Sequence, residues 1–232
     1  EAYIPNFFCK AYRPVLYIPS KEEVKELLQK MDIRTSHNSE QFRLDRECKI
    51  LFLLYFCCGL RLSEGRLLKW EHIDLDKGIL TVLGSKGNKD RLVYLPQDSL
   101  PVLKNYKERQ EMLFPGIDWA FPGKDPHKPV SCSGVESSFN RHWAMLPVAR
   151  TVDKHPTPHC LRHAFVVERF NEWMHQGIDT NTMLPYLSRY LGHKSPDETY
   201  YYYHLAEKAF DTIREKDSVS GKVIPEVLPY EE

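Results

Sequence analysis

Near its C-terminal end the chain reads Tyr190-Leu191-Gly192-His193-Lys194-Ser195-Pro196-Asp197-Glu198-Thr199, then four consecutive tyrosines, Tyr200 to Tyr203, then His204. An imidazole thus follows a glycine of the kind that ends helices, with a phenol nine residues further on. Upstream stand Arg61, Lys86 and the pair His159 and Arg162. This set of cations, imidazoles and a phenol suits one reaction well. A phenolic oxygen attacks a phosphodiester while fixed cations hold the charge that develops on the phosphate oxygens.

Each residue also has a plainer role. His159 and Arg162 are three apart and share a face of a first helical turn, whose free N–H groups and positive dipole end suit a phosphate; alone, they read as a helix-start imidazole and a surface guanidinium. Arg61 follows Gly59-Leu60, and its planar fork can match two phosphate oxygens at once; a solvated loop arginine is the alternative. Glu64 could hold that guanidinium in place from behind, or simply put a favourable negative charge in a helix's first turn. Lys86 lies in a glycine-flanked hairpin, where a lone lysine ordinarily serves solubility, and Lys89 competes for any chemical role. His193 could merely cap a helix. Successive tyrosines on a helix diverge by about 100°, so only one or two can face a given cleft. His163 reads as a packing or supporting residue. With His159 it forms an i, i+4 pair that could take zinc, but no general-base Glu lies between them and no third ligand is evident.

The elements that must carry these groups are legible in outline. Residues 1–18 show no periodicity. Ser20 and Glu23 form a capping box ahead of Val24, Leu27, Leu28 and Met31 at helical spacing. Residues 33–43 read as a polar loop, and a buried helix over about 45–58 ends at Gly59. Ser63 can cap a short helix through Leu68, which puts Arg61 between two helices. The period then changes: 79–83 and 91–95 read as antiparallel strands with Lys86 at the hairpin tip. Helical patterns return over about 98–112 and 134–145. Thr157-Pro158 starts a helix to about 176, another covers about 181–191, Ser195-Pro196 opens the one with the tyrosines, and a last one covers about 206–215.

Four stretches carry a family resemblance: Cys58-Gly59-Leu60-Arg61-Leu62-Ser63-Glu64; Gly84-Ser85-Lys86-Gly87-Asn88-Lys89-Asp90-Arg91; His159-Cys160-Leu161-Arg162-His163; and Leu191-Gly192-His193 followed by Tyr202. In order and spacing they resemble the tyrosine recombinase (phage integrase) family over about residues 15–210. The resemblance implies a mainly α fold with a small three-stranded antiparallel sheet (α+β). It divides the chain into a linker (1–18), a catalytic domain (19–216) and a C-terminal tail (217–232). It selects Tyr202 as nucleophile, with Tyr201 and Tyr203 next in line, and Lys86 over Lys89. Arg61, Arg162 and His193 would stabilise the transition state, Lys86 would protonate the departing 5′ oxygen, and His159 would accept or relay the phenol's proton. The implied partner is double-stranded DNA, bound by a homotetramer on paired sites and a monomer without DNA, with helix 206–215 docking on a neighbour; folding back on its own core is the plainer alternative for that helix. No metal or nucleotide cofactor is implied. Family members usually carry an N-terminal clamp domain, for which this lead is too short, so a fragment or a natural loss of the clamp is expected. A type IB topoisomerase-like enzyme and a non-catalytic DNA-binding relative are the alternatives.

Composition sets bounds on these expectations. The chain has 232 residues, 42% of them hydrophobic, with 32 basic and 32 acidic side chains. A net charge of zero is unusual for a nucleic-acid binder and requires the basic groups to be clustered rather than in excess. No apolar run approaches the ~20 residues of a membrane span, and a cytoplasmic location is expected. The cysteines, Cys9, Cys48, Cys57, Cys58, Cys132 and Cys160, form no C-x-x-C pair and read as buried, reduced thiols.

Overall fold

A computed structural model describes residues 17–34, 37–85 and 89–202. Among these, α1 (Lys21–Lys30), α2 (Ser39–Cys58) and α3 (Leu62–Arg66) are followed by strands β1 (Ile73–Asp74), β2 (Ile79–Ser85) and β3 (Lys89–Tyr94). Helices α4 (Leu100–Leu113), α5 (Cys132–Trp143), α6 (Cys160–His175), α7 (Thr180–Leu191) and α8 (Asp197–Tyr200) complete the order. The sheet is antiparallel with strand order β1-β2-β3. Lys86 and the expected helix over 206–215 lie outside the described residues.

Local sequence accounts for most boundaries. Ser20 and Glu23 close the expected capping box at the start of α1. Helix α2 begins six residues earlier than the sequence suggested, at Ser39 rather than 45. The Asn38 side chain accepts from the N–H groups of Glu40 and Gln41, so a polar first turn forms without an apolar stripe. Both α2 and α7 end on a glycine in the left-handed region, Gly59 at φ 62° and Gly192 at φ 65°. Those two ends frame the site. Helix α3 is capped by Arg61 rather than started by Ser63. Helix α6 begins at Cys160, with Thr157 and Pro158 in the turn before it.

Two apolar clusters hold the elements. The larger joins α1, α2, α5 and the sheet through Leu27, Met31, Leu51, Phe52, Tyr55, Leu80, Phe139 and Trp143. Full burial of such a side chain contributes about 1.5–3 kcal/mol. Tyr17 adds its ring edge to Trp143 and donates to Glu23 at 2.6 Å. The smaller cluster, Phe165, Val166, Phe170, Leu184, Leu187, Leu191 and Tyr202, joins α6 and α7 to the tyrosine segment. Tyr190 packs on both. Cys48, Cys58 and Cys160 are buried free thiols, as expected, whereas Cys132 is exposed on the first turn of α5.

Helix α3 carries Arg61 at its cap and Glu64 within it, so its seat on α2 matters. Gly65 permits that seat: a Cβ there would lie 2.5 Å from Tyr55 Cε1 and 2.8 Å from Leu51 Cδ1. The Tyr55 hydroxyl fixes the same junction by donating to the Leu62 carbonyl at 2.9 Å. Gly65→Ala is therefore expected to lower stability by about 1–3 kcal/mol, the usual cost of overpacking. Urea unfolding measures this, and an unchanged midpoint would show that α3 does not need its close approach.

Candidate active site

Glu64 sits at the centre of the site. Its Oε2 accepts from the Arg61 backbone N–H at 2.7 Å, and its Oε1 from Arg61 Nη1 at 2.8 Å. Arg91, on β3, adds a two-pronged contact, Nη1 to Oε1 and Nη2 to Oε2, both at 2.8 Å. Arg162 Nη1 lies 3.9 Å from Oε2. Burial alone would raise the Glu64 pKa, but the hydrogen bonds and charges of Arg91 and Arg61 outweigh it and hold the carboxyl down at about 2. One carboxylate thus faces three guanidiniums.

The C-terminal end of α7 supplies the remaining acceptors. Its last carbonyls have no partner within the helix. Tyr190 O accepts from Arg91 Nε at 2.8 Å, Leu191 O from Arg162 Nη2 at 2.8 Å, and Gly192 O from Arg61 Nη2 at 2.7 Å. Three successive carbonyls each take a different arginine. Arg162 also donates to Gly59 O, so it bridges the glycine-capped ends of α2 and α7. The negative end of the helix dipole favours cations there. Desolvation and the neighbouring Arg61 still lower the Arg162 pKa, with Glu64 acting in the opposite sense.

His193 follows directly. Its Nε2 lies 3.1 Å from Arg162 Nη2, and its Nδ1 lies 2.7 Å from Thr199 Oγ1. A guanidinium can only donate, so Nε2 accepts and Nδ1 carries the proton and donates to Thr199. Desolvation first, then Arg162, Arg61 and Arg91, lowers the His193 pKa to about 3, so the ring is neutral. Thr199 is fully buried, and its hydroxyl can accept or donate, so it satisfies either tautomer.

Tyr202 is 8% exposed, whereas Tyr200 is 49% exposed, and Tyr201 packs edge-on against Tyr202. The Tyr202 hydroxyl shares a hydrogen bond of 2.5 Å with His163 Nδ1. Burial pushes the phenol pKa up to about 12, with Arg162 opposing. His163 is lowered to about 3 by desolvation and by the neighbouring His159 and Arg162. His159, at the exposed rim, stands edge-on to the His163 ring with centroids 4.6 Å apart. Its pKa is lowered as well, by desolvation, Arg162 and Arg61.

The fold therefore gathers Arg61, Glu64, Arg162 and His193 into one bonded cluster, with Tyr202 beside it and His159 one ring away. A cleft of about 400 Å³ opens next to it, bordered by Arg61, Ser63, Thr81, Leu83 and Gly84. The phenol's direct partner is His163, which sequence reasoning had set aside as support, and not His159. Arg91 and Thr199 carried no assigned role at all. Arg91 had a signal: it shares strand parity with Val93 and Leu95, which are buried, while Leu92 points outward. An arginine on the buried face of a strand requires a counter-charge. Thr199 lies three residues before Tyr202, on the same helical face. Among the described residues no three His, Cys, Asp or Glu side chains cluster as metal ligands, and no helix is long and apolar enough to cross a membrane.

Known proteins resemble this chain in sequence and in fold. The phage integrase family model matches residues 20–209. The chain is 32% identical over 207 residues to the tyrosine recombinase XerA of Pyrococcus furiosus, covering 88% of this chain and 63% of that protein. It is 32% identical over 190 residues to the tyrosine recombinase XerC of Alcanivorax borkumensis, covering 81% and 56%. The chain spans between 46% and 63% of the length of three curated relatives it matches. In fold it is similar to the XerH site-specific recombinase in a post-cleavage complex with its difH substrate, with a TM-score of 0.66 at 22% identity over 86% of this chain and 52% of that one. It also matches the catalytic domain of bacteriophage HP1 integrase along that domain's whole length, with a TM-score of 0.52 at 18% identity over 90% of this chain. The chain belongs to the phage integrase family.

Proposed function

We propose that this chain is the catalytic part of a tyrosine-type site-specific recombinase, which cuts and rejoins double-stranded DNA through a 3′-phosphotyrosine. The observation that carries this reading is the convergence of Arg61, Arg162 and His193 on one surface, beside the buried Tyr202. Residues 19–216 form the catalytic unit in this reading, preceded by a linker and followed by a tail.

The chemistry follows from the geometry. A phosphodiester seated against Arg61 and Arg162 receives paired donors from two planar guanidiniums, whose positions are fixed from behind by Glu64 and the α7 carbonyls. Fixed donors lower the barrier because they need no reorganisation as charge develops. His193 gains a donor for a phosphate oxygen when its proton moves from Nδ1 to Nε2; Thr199 accommodates the change by turning its hydroxyl from acceptor to donor, and Arg162 Nη2 turns its hydrogen bond from the ring to the phosphate. Tyr202 Oη attacks phosphorus and its proton passes to the imidazole side, where His163 is in direct contact and His159 stands behind. The P–O5′ bond breaks, and Lys86 supplies the proton that the 5′ oxygen takes up. The phosphotyrosine keeps the energy of the phosphodiester, so a 5′ hydroxyl of a partner strand can reverse the attack without ATP. Four protomers on two sites, with helix 206–215 reaching a neighbour, complete the proposal. The relatives' names favour strand exchange over topoisomerase-like relaxation, and the intact residue set favours both over a DNA-binding relative without activity.

A nicked suicide duplex carrying the cognate site, in excess EDTA, is expected to trap a covalent adduct on Tyr202. Tyr202→Phe should abolish the adduct and leave DNA binding nearly intact. Arg61→Ala and Arg162→Ala should each slow it by about 10²–10³-fold, the usual loss for one oxyanion donor. Light scattering on paired, marked sites then reads assembly and strand exchange. An adduct mapped to another tyrosine, or one that requires Mg²⁺, would overturn the reading.

The two neutral imidazoles also set a pH dependence. His163 and His193 have folded pKa values of about 3, against about 6.5 in an unfolded chain. Between those values the unfolded state binds more protons, so stability is complete above about pH 6.5 and declines as pH falls towards 3. Glu64, at about 2 when folded, adds a further loss below the ordinary carboxylate range. The melting temperature is expected to fall steadily from pH 7 to pH 4, and less steeply in His163→Gln. A flat profile over that range would show that these rings protonate freely in the folded protein.

A further inference from the structure

Arg91 commits all three guanidinium nitrogens to protein acceptors. Its side chain is only 9% exposed. Three of its donors are spent on two targets: both Glu64 oxygens at 2.8 Å, and Tyr190 O at 2.8 Å. The first target holds the Arg61 side chain and backbone. The second lies two residues before Gly192, the carbonyl that holds the other side of Arg61, and three before His193. Arg91 stands opposite Val82 in the β2–β3 ladder, so its base is set by the sheet rather than by the helices it reaches.

We propose that Arg91 is a positioning residue for strand cleavage: it fixes the orientation of the Glu64 carboxylate and of the α7 terminus, and through them aims Arg61 at the phosphate. Without its fork, the Glu64 carboxylate, already bonded to Arg61, is free to rotate and carry that guanidinium with it. Tyr190 O loses its partner at the same time, and the carbonyl end that orients Arg61 and Arg162 loosens. The bland alternative is a buried ion pair that only staples the sheet to the helices. Such pairs contribute little net stability when charge burial is counted, so stability alone does not account for the arrangement.

This inference rests on the recombinase reading, and the test separates the two. Single-turnover adduct formation on the suicide duplex is measured at saturating DNA, alongside melting temperature and DNA half-saturation. Arg91→Met is expected to slow cleavage on the order of 10²-fold, the typical effect of a misplaced catalytic group, with half-saturation nearly unchanged. Arg91→Lys, which keeps the charge but cannot span both oxygens, is expected to restore the melting temperature more than the rate; it carries the test if Arg91→Met does not fold. In a Glu64→Gln background, Arg91→Met is expected to add little further loss, because both act through one carboxylate. The proposal is overturned if either Arg91 variant cleaves at the wild-type rate, if Arg91→Lys recovers rate and melting temperature together, or if the Arg91 and Glu64 losses multiply independently. No adduct from the wild-type protein would instead remove the recombinase reading, and this inference with it.

Discussion

A single carboxylate, Glu64, makes it possible to bring three guanidiniums together in a partly buried site. Arg61, Arg91 and Arg162 would repel one another at these distances, and burial works against each charge. Glu64 meets two of them at 2.8 Å and the third at 3.9 Å. The carbonyl end of α7 supplies the rest of the compensation, one acceptor for each arginine. The local charge still comes out positive, which is what a phosphodiester site requires. A neutral chain is thereby compatible with the proposed nucleic-acid substrate, because three guanidiniums meet at one point.

That constraint organises the surrounding fold. Glu64 rides on α3, whose seat on α2 depends on Gly65. Arg91 comes from the sheet and Arg162 from α6, and the carbonyls belong to α7. The cluster therefore joins the larger apolar core to the smaller one that holds Tyr202. Gly59 and Gly192 matter because a left-handed glycine cap turns the last carbonyls of α2 and α7 inward, within reach of Arg162. Tyr202 belongs to the smaller core by packing and to the site by its hydroxyl. Burial keeps the phenol protonated in the described arrangement, and the proposed attack on phosphorus requires it to give up its contact with His163.

Much of this was legible in the sequence, for identifiable reasons. The Gly-Leu-Arg and Leu-Gly-His stretches announce helix ends, and helix ends are where arginines and histidines find carbonyls. The capping box of α1, the change of period into the sheet and the order of the helices after it were all readable. The start of α2 was not, because a polar first turn capped by Asn38 shows no apolar stripe. Arg91 was hidden by its setting, since a charged residue on a short strand reads as solvent-facing until its parity with Val93 and Leu95 is noticed. The exchange of His159 for His163 as partner of the phenol could not be read from spacing, because adjacent turns of α6 place both rings near the site and only packing against Tyr202 distinguishes them.

The claim on which the rest depends is that Glu64 stays ionised because the arginines hold it so. Its carboxyl carbon can be followed by ¹³C NMR through an acid titration of the folded protein, with Glu64→Gln assigning the resonance. The account expects the ionised signal to persist through the ordinary glutamate range, with a midpoint near 2 or no midpoint before the protein unfolds. A midpoint near the unperturbed value of about 4.3 while the protein is still folded would contradict it.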